Sequence, residues 1–156
     1  MKSKRNKYLR VSYVFSLLGF IDSIYLTIVH YVNSSPVCNL NGQCEMVLTS
    51  RFSSIGPIPL AVVGVGYYFA FMILVTYLLF RFKNDLFRVL FVMISFALLV
   101  SAGLVIIQLF VLNAVCQYCL FSEFCTTVLF LLTLKEQRIQ KIKILTPEIK
   151  KKLKLN

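Results

Sequence analysis

Residues 113–124 read NAVCQYCLFSEF and join one apolar run to the next. Residues 86–112 before the junction and 114–134 after it are each long enough to cross a bilayer as a helix. Two runs joined this directly must form antiparallel neighbours, so the Cys-x-x-Cys of Cys116 and Cys119 falls at the mouth of a membrane helix. Asn113 is expected to cap that helix, its side chain accepting from the N–H of Cys116. Cys116 then lies in the first turn, where the positive end of the helix dipole favours a thiolate, the nucleophile of disulfide exchange. Cys119 lies one turn deeper on roughly the same face, and Glu123 one turn deeper again. Cys125 lies on a different face and reads as a small packed hydrophobe.

Working outward, residues 9–32 and 58–80 supply two further runs, and the chain of 156 residues is 58% hydrophobic. The expected fold is an all-α integral membrane protein, a bundle of four transmembrane helices over residues 9–134, with basic tails at 1–8 and 135–156. The first run reads as a retained span, not a cleaved leader: it exceeds a typical signal h-region and no Ala-x-Ala-like site follows.

Of the 17 basic residues, five lie in the first ten positions and eight follow Leu134, so the net charge of +11 belongs to the ends. Basic clusters that flank bilayer-length runs suit anionic lipid headgroups and argue against nucleic acid as a partner. The short link between the second and third runs carries Arg81, Lys83 and Arg88, whereas the 33–57 loop has only Arg51 and the 113–116 turn has no basic residue. This alternation predicts cytoplasmic termini, with Cys38, Cys44, Cys116 and Cys119 on the outer face, where disulfides persist. A bacterial plasma membrane is favoured over the endoplasmic reticulum, since no targeting signal accompanies the abundant Ile, Leu and Lys.

In the first run, Ser12, Ser16, Gly19, Ser23, Thr27 and His30 share one face and form a close-packing stripe. Asp22 is a carboxylate at mid-span and needs a partner or a polar cavity; Tyr25 is within reach. In the outer loop, Asn41-Gly42 favours a tight turn that can bring Cys38 and Cys44 together. Residues 45–50 suit a short surface helix, and Pro57 and Pro59 suit the start of the next span. Gly64 and Gly66 thin that span for close approach.

One cysteine pair on an outer loop and one at a helix mouth can connect a protein thiol in water to an acceptor in lipid. Two other readings stay open: a non-catalytic membrane scaffold whose cysteines bind zinc, or one whose cysteines form static disulfides. Glu123 belongs near the site, because carboxylates within membranes are functional candidates.

The arrangement resembles the vitamin K epoxide reductase family, in its bacterial branch. The matching features are four helices, an outer-loop cysteine pair before the second, and Cys-Gln-Tyr-Cys at the start of the fourth. SIYLTIVHY at 23–31, GPIPLAVVG at 56–64 and Ser50, six residues after Cys44, also match. The bacterial disulfide bond formation protein B carries its two cysteine pairs in the opposite order. The resemblance implies a quinone-dependent thiol oxidoreductase that re-oxidises a thioredoxin-like or DsbA-like partner for disulfide formation. Cys38 would exchange with that partner, and Cys44 would pass electrons to Cys116 through a transient Cys44–Cys116 disulfide. Cys119 would reduce a quinone of the menaquinone, ubiquinone or vitamin K kind, with Ser50 and Glu123 at the quinone site. Many bacterial members continue into a thioredoxin-like domain; no such sequence follows here, so the partner is expected to be a separate protein. Vertebrate members carry a tyrosine where this chain has Glu123, which turns the expectation away from vitamin K epoxide and leaves epoxide reduction as the further alternative.

Overall fold

The computed structural model describes residues 2–32, 43–81 and 83–153. Its helices are α1 (Lys2–Val32), the short α2 (Gln43–Leu48), α3 (Leu60–Phe80), α4 (Asn84–Ile106) and α5 (Gln117–Leu153). Four of them contain spans long and apolar enough to cross a membrane: Lys7–Val32, Leu60–Phe80, Asn84–Val111 and Gln117–Arg138. A helix closes every backbone hydrogen bond within its own segment, which is what the hydrocarbon interior requires. The fold is therefore the expected four-helix membrane bundle.

The helix ends differ in places from those expected. α5 runs on through the basic tail to Leu153, because Lys, Gln, Glu, Ile and Leu are adequate helix formers whether or not lipid surrounds them. The break between α2 and α3 is more ordered than a proline-rich linker suggests. A 3-10 turn (Arg51–Ser53) leads into β1 (Ser54–Ile55), which pairs antiparallel with β2 (Ile58–Pro59). Gly56 takes φ 63° at the first central position of the connecting turn, a conformation that glycine reaches without a Cβ clash. Pro59 precedes the first residue of α3, in extended conformation, instead of occupying the first helical position.

α1 packs chiefly against α3 and α5, and α4 against α5. The small and polar stripe of α1 is its inward face: Ser12, Ser16, Gly19 and Ser23 are buried. Ser16 and Thr27 return their hydroxyls to the carbonyls of Tyr13 and Ser23 at 2.8 and 2.7 Å, so they enter the interior satisfied. The aliphatic and aromatic core includes Leu9, Phe71, Val75, Leu78, Leu90, Ile94 and Leu129. Val92, Leu99 and Phe110 are largely exposed, as a surface against acyl chains allows.

Two close approaches hold α3 on α1. A Cβ on Gly19 would overlap the ring of Tyr68, and one on Gly64 would sit 2.9 Å from the Ser23 hydroxyl. Gly66, expected to serve the same purpose, has open space around it. The Tyr68 hydroxyl lies 2.9 Å from both the carbonyl and the hydroxyl of Ser122 and 3.1 Å from the Thr126 hydroxyl, tying α3 to α5.

Candidate functional site

The α4–α5 junction is built differently from its expected form. α4 ends in a π-turn, Ile107–Val111, closed by the N–H of Leu112 on the Ile107 carbonyl at 3.0 Å. Asn113 follows with φ 47°, a left-handed conformation that asparagine tolerates better than most residues. Asn113 is thus the corner of the hairpin and not the helix cap. The cap is Cys116. Its carbonyl accepts the N–H of Leu120 at 2.9 Å, and its sulfur accepts the N–H of Cys119 at 3.4 Å. A thiol stands where Ser or Asp usually satisfies the N3 amide.

That position sets the chemistry of Cys116. The Cys119 thiol donates to its sulfur, and this interaction leads in holding the Cys116 thiol below the ordinary cysteine range. Burial opposes it, while the backbone N–H groups of Cys119 and Tyr118 add to the lowering. Cys116, Cys119 and Cys125 are free thiols; Cys44 is disulfide-bonded. Cys38 lies outside the described residues.

Two glutamines hold this mouth together. Gln43, at the start of α2, accepts the N–H of Val115 on its side-chain oxygen at 3.1 Å. Gln108, in the π-turn and only 5% exposed, accepts the N–H of Ala114 on its carbonyl at 3.1 Å and that of Cys116 on its side-chain oxygen at 3.4 Å. Hairpin amides that no helix can satisfy thus find partners from α2 and α4. The same braces bring Cys44, Val47, Ala114 and Cys116 into one buried cluster, with Cys119 packed against it. Sequence reasoning missed both glutamines. Gln108 is a lone amide within an apolar span, and that feature by itself marks a residue with a task.

On the inner side of the mouth is a cavity of about 300 Å³ bounded by α1, α3, α4 and α5 and closed over by the 47–53 segment. Cys119, Glu123, Ser50, His30, Tyr67 and Gln108 line it among mainly apolar neighbours. The structure therefore brings Ser50, Cys119 and Glu123 to one cavity, and Cys44 to Cys116 beside it. The Ser50 hydroxyl is turned to the Val47 carbonyl at 2.7 Å, so in this structure it seats the loop. Cys125 is buried and packed away from the cavity.

The Asp22 Oδ2 is buried without a hydrogen-bond partner, and the ring of Tyr25 packs on Tyr118, centroids 5.0 Å apart. The Tyr67 hydroxyl is likewise buried with no partner. Among the described residues, no three His, Cys, Asp or Glu side chains converge to hold a metal ion.

A family profile described as Vitamin K epoxide reductase family matches residues 10–134, most of the chain. No curated protein matches the sequence.

Proposed function

The chain belongs to the vitamin K epoxide reductase family, and from that premise we propose that it oxidises a dithiol protein and hands the electrons to a quinone. Membership makes it an integral membrane redox enzyme, and the family uses quinones. The finer reading rests on one observation: Cys44 and Cys116 share a buried cluster, and Cys119, one turn on, lines an apolar cavity. A sulfur path thus leads from the loop to a lipid-side chamber.

A thiolate of a thioredoxin-like partner attacks the Cys38–Cys44 disulfide at Cys38. The partner's second thiol resolves the mixed disulfide and leaves with both of its sulfurs oxidised. Cys44 then attacks the Cys116–Cys119 disulfide at Cys116, freeing Cys119, and Cys38 displaces Cys116 to re-form the loop disulfide. The reduced Cys116–Cys119 pair gives two electrons and two protons to the quinone, which becomes the quinol as the helix-mouth disulfide closes. The lowered position of Cys116 makes it a good leaving thiolate in this exchange.

The cavity's size and apolar lining suit a quinone ring as substrate. Glu123 and Ser50 lie on its wall, and Glu123 offers an acceptor for a quinol hydroxyl. The clustering of basic residues at both termini and at Arg81, Lys83 and Arg88 supports cytoplasmic termini and an outward-facing mouth.

The test is protein purified in lipid with a reduced thioredoxin-like protein and a quinone, followed by quinone absorbance. Turnover is expected in wild type and absent in Cys119→Ala. No turnover with menaquinone, ubiquinone or vitamin K, together with one bound zinc per chain, would leave the scaffold reading instead.

A further inference from the structure

We propose that Tyr67 and Gln108 are the hydrogen-bond donors that hold the carbonyl oxygens of the quinone; this rests on the quinone-linked reading above. Both residues line the cavity that Cys119 lines. The Tyr67 hydroxyl is buried and has no partner, although its ring is fixed against Tyr68 and Phe71, with centroids 5.0 and 6.2 Å away. A buried hydroxyl without a partner is costly, and a group kept that way beside a chamber signals a ligand that completes it.

Gln108 adds an independent observation from another helix. Its side-chain oxygen is committed to the N–H of Cys116. A planar amide has two ends, and the other is an NH2. With the oxygen so engaged, the NH2 is the end of this 5% exposed residue that has hydrogens to give. The cavity wall thus carries two donor-bearing side chains, from α3 and from the end of α4.

A quinone is the complementary molecule: a flat apolar ring with two carbonyl acceptors and no donor of its own. As electrons arrive, negative charge develops on those oxygens, and fixed donors in a mainly apolar chamber hold it most strongly then. Gln108 also joins the two halves of the site, because the amide that would meet the quinone anchors the backbone of Cys116. A ligand of hydrocarbon alone would leave both groups unanswered.

Tyr67→Phe is the decisive variant, since it removes one oxygen and keeps the ring. Binding is measured in lipid nanodiscs with both cysteine pairs oxidised, so that no electrons flow. The probes are dimethylnaphthoquinone and, as a control of the same shape without carbonyls, dimethylnaphthalene. Tyr67→Phe is expected to weaken quinone binding about 3- to 10-fold, the effect of one neutral hydrogen bond, and to leave naphthalene binding unchanged. The infrared carbonyl band of the bound quinone is expected to move toward its free position in the same variant. Gln108→Leu is expected to weaken quinone binding likewise and, in addition, to slow exchange at Cys116. Equal quinone affinity in wild type and Tyr67→Phe, or an equal loss for both probes, overturns the donor assignment and leaves the enzyme reading intact. A wild type that binds the naphthalene and the quinone equally well overturns it too. A wild type that binds no quinone overturns the functional reading and this assignment with it.

Discussion

Tyr67 and Tyr68 are adjacent on α3, and they belong to two regions built by opposite rules. Tyr68 closes a seam: it is 2% exposed, presses on Gly19 and meets acceptors and donors at Ser122 and Thr126. Tyr67 borders a chamber, and its hydroxyl is buried without a partner. In the seam the Tyr68 hydroxyl is answered from within the protein. At the chamber the Tyr67 hydroxyl is left unanswered. The contrast separates what holds the bundle together from what the bundle is built to receive.

The sharpest way to break the comparison is at the sulfur that closes the chamber's mouth. Cys116→Ala is expected to reduce quinone-linked turnover to background, because it removes both the cap and the relay thiol; turnover and folded yield in lipid check it together. Activity surviving in Cys116→Ala would mean that the mouth is structural, like the seam.

Next in size is Gly19→Ala. A methyl group there would overlap the Tyr68 ring, and overpacking of this kind costs about 1–3 kcal/mol. The thermal midpoint in nanodiscs is expected to fall clearly, with Gly66→Ala, where space is open, as the control that does not fall.

Smaller still is the effect that sets the two tyrosines directly against each other. Tyr68→Phe strips a partner from Ser122 and Thr126 and is expected to cost about 1 kcal/mol. Tyr67→Phe without quinone is expected to lose nothing and to gain a little, since it removes a polar atom that no partner satisfies. Equal losses in the two would erase the distinction between seam and chamber.

The smallest effect is a pH shift. The Cys116 thiol is held low first by the Cys119 thiol, so the thiolate persists to lower pH than in an ordinary cysteine, whose pKa is about 8.5. In fully reduced protein, the alkylation rate at Cys116, read by mass spectrometry, is expected to stay high on acidification until below that value. Cys119→Ala removes the leading cause, so the rate should then begin to fall at higher pH.

Much of this site is legible in the amino-acid sequence, and the pattern of what is not is informative. Cys44, Cys116, Cys119, Ser50 and Glu123 can be named from it because each belongs to a local motif or to a spacing along one helix. Asn113 is not a cap, although an asparagine before an apolar run looks the same whether it caps a helix or turns a corner. The π-turn and the φ 47° at Asn113 decide between them, and neither has a one-dimensional signature. Tyr25 lies one helical turn from Asp22 and so looks like its partner; that its ring packs on Tyr118, from another helix, has no signal along the chain.

Hydropathy over about 20 residues and the charge beside it act along the chain. The four spans, the basic ends and the order of the two cysteine pairs are therefore written in the amino-acid order alone. Which polar groups are answered is a matter of packing. Tyr68 finds Ser122 54 positions away, and Gln43 finds Val115 72 positions away. Hydrogen bonds need atoms within about 3 Å, and which distant residues come that close is settled only when the four helices pack.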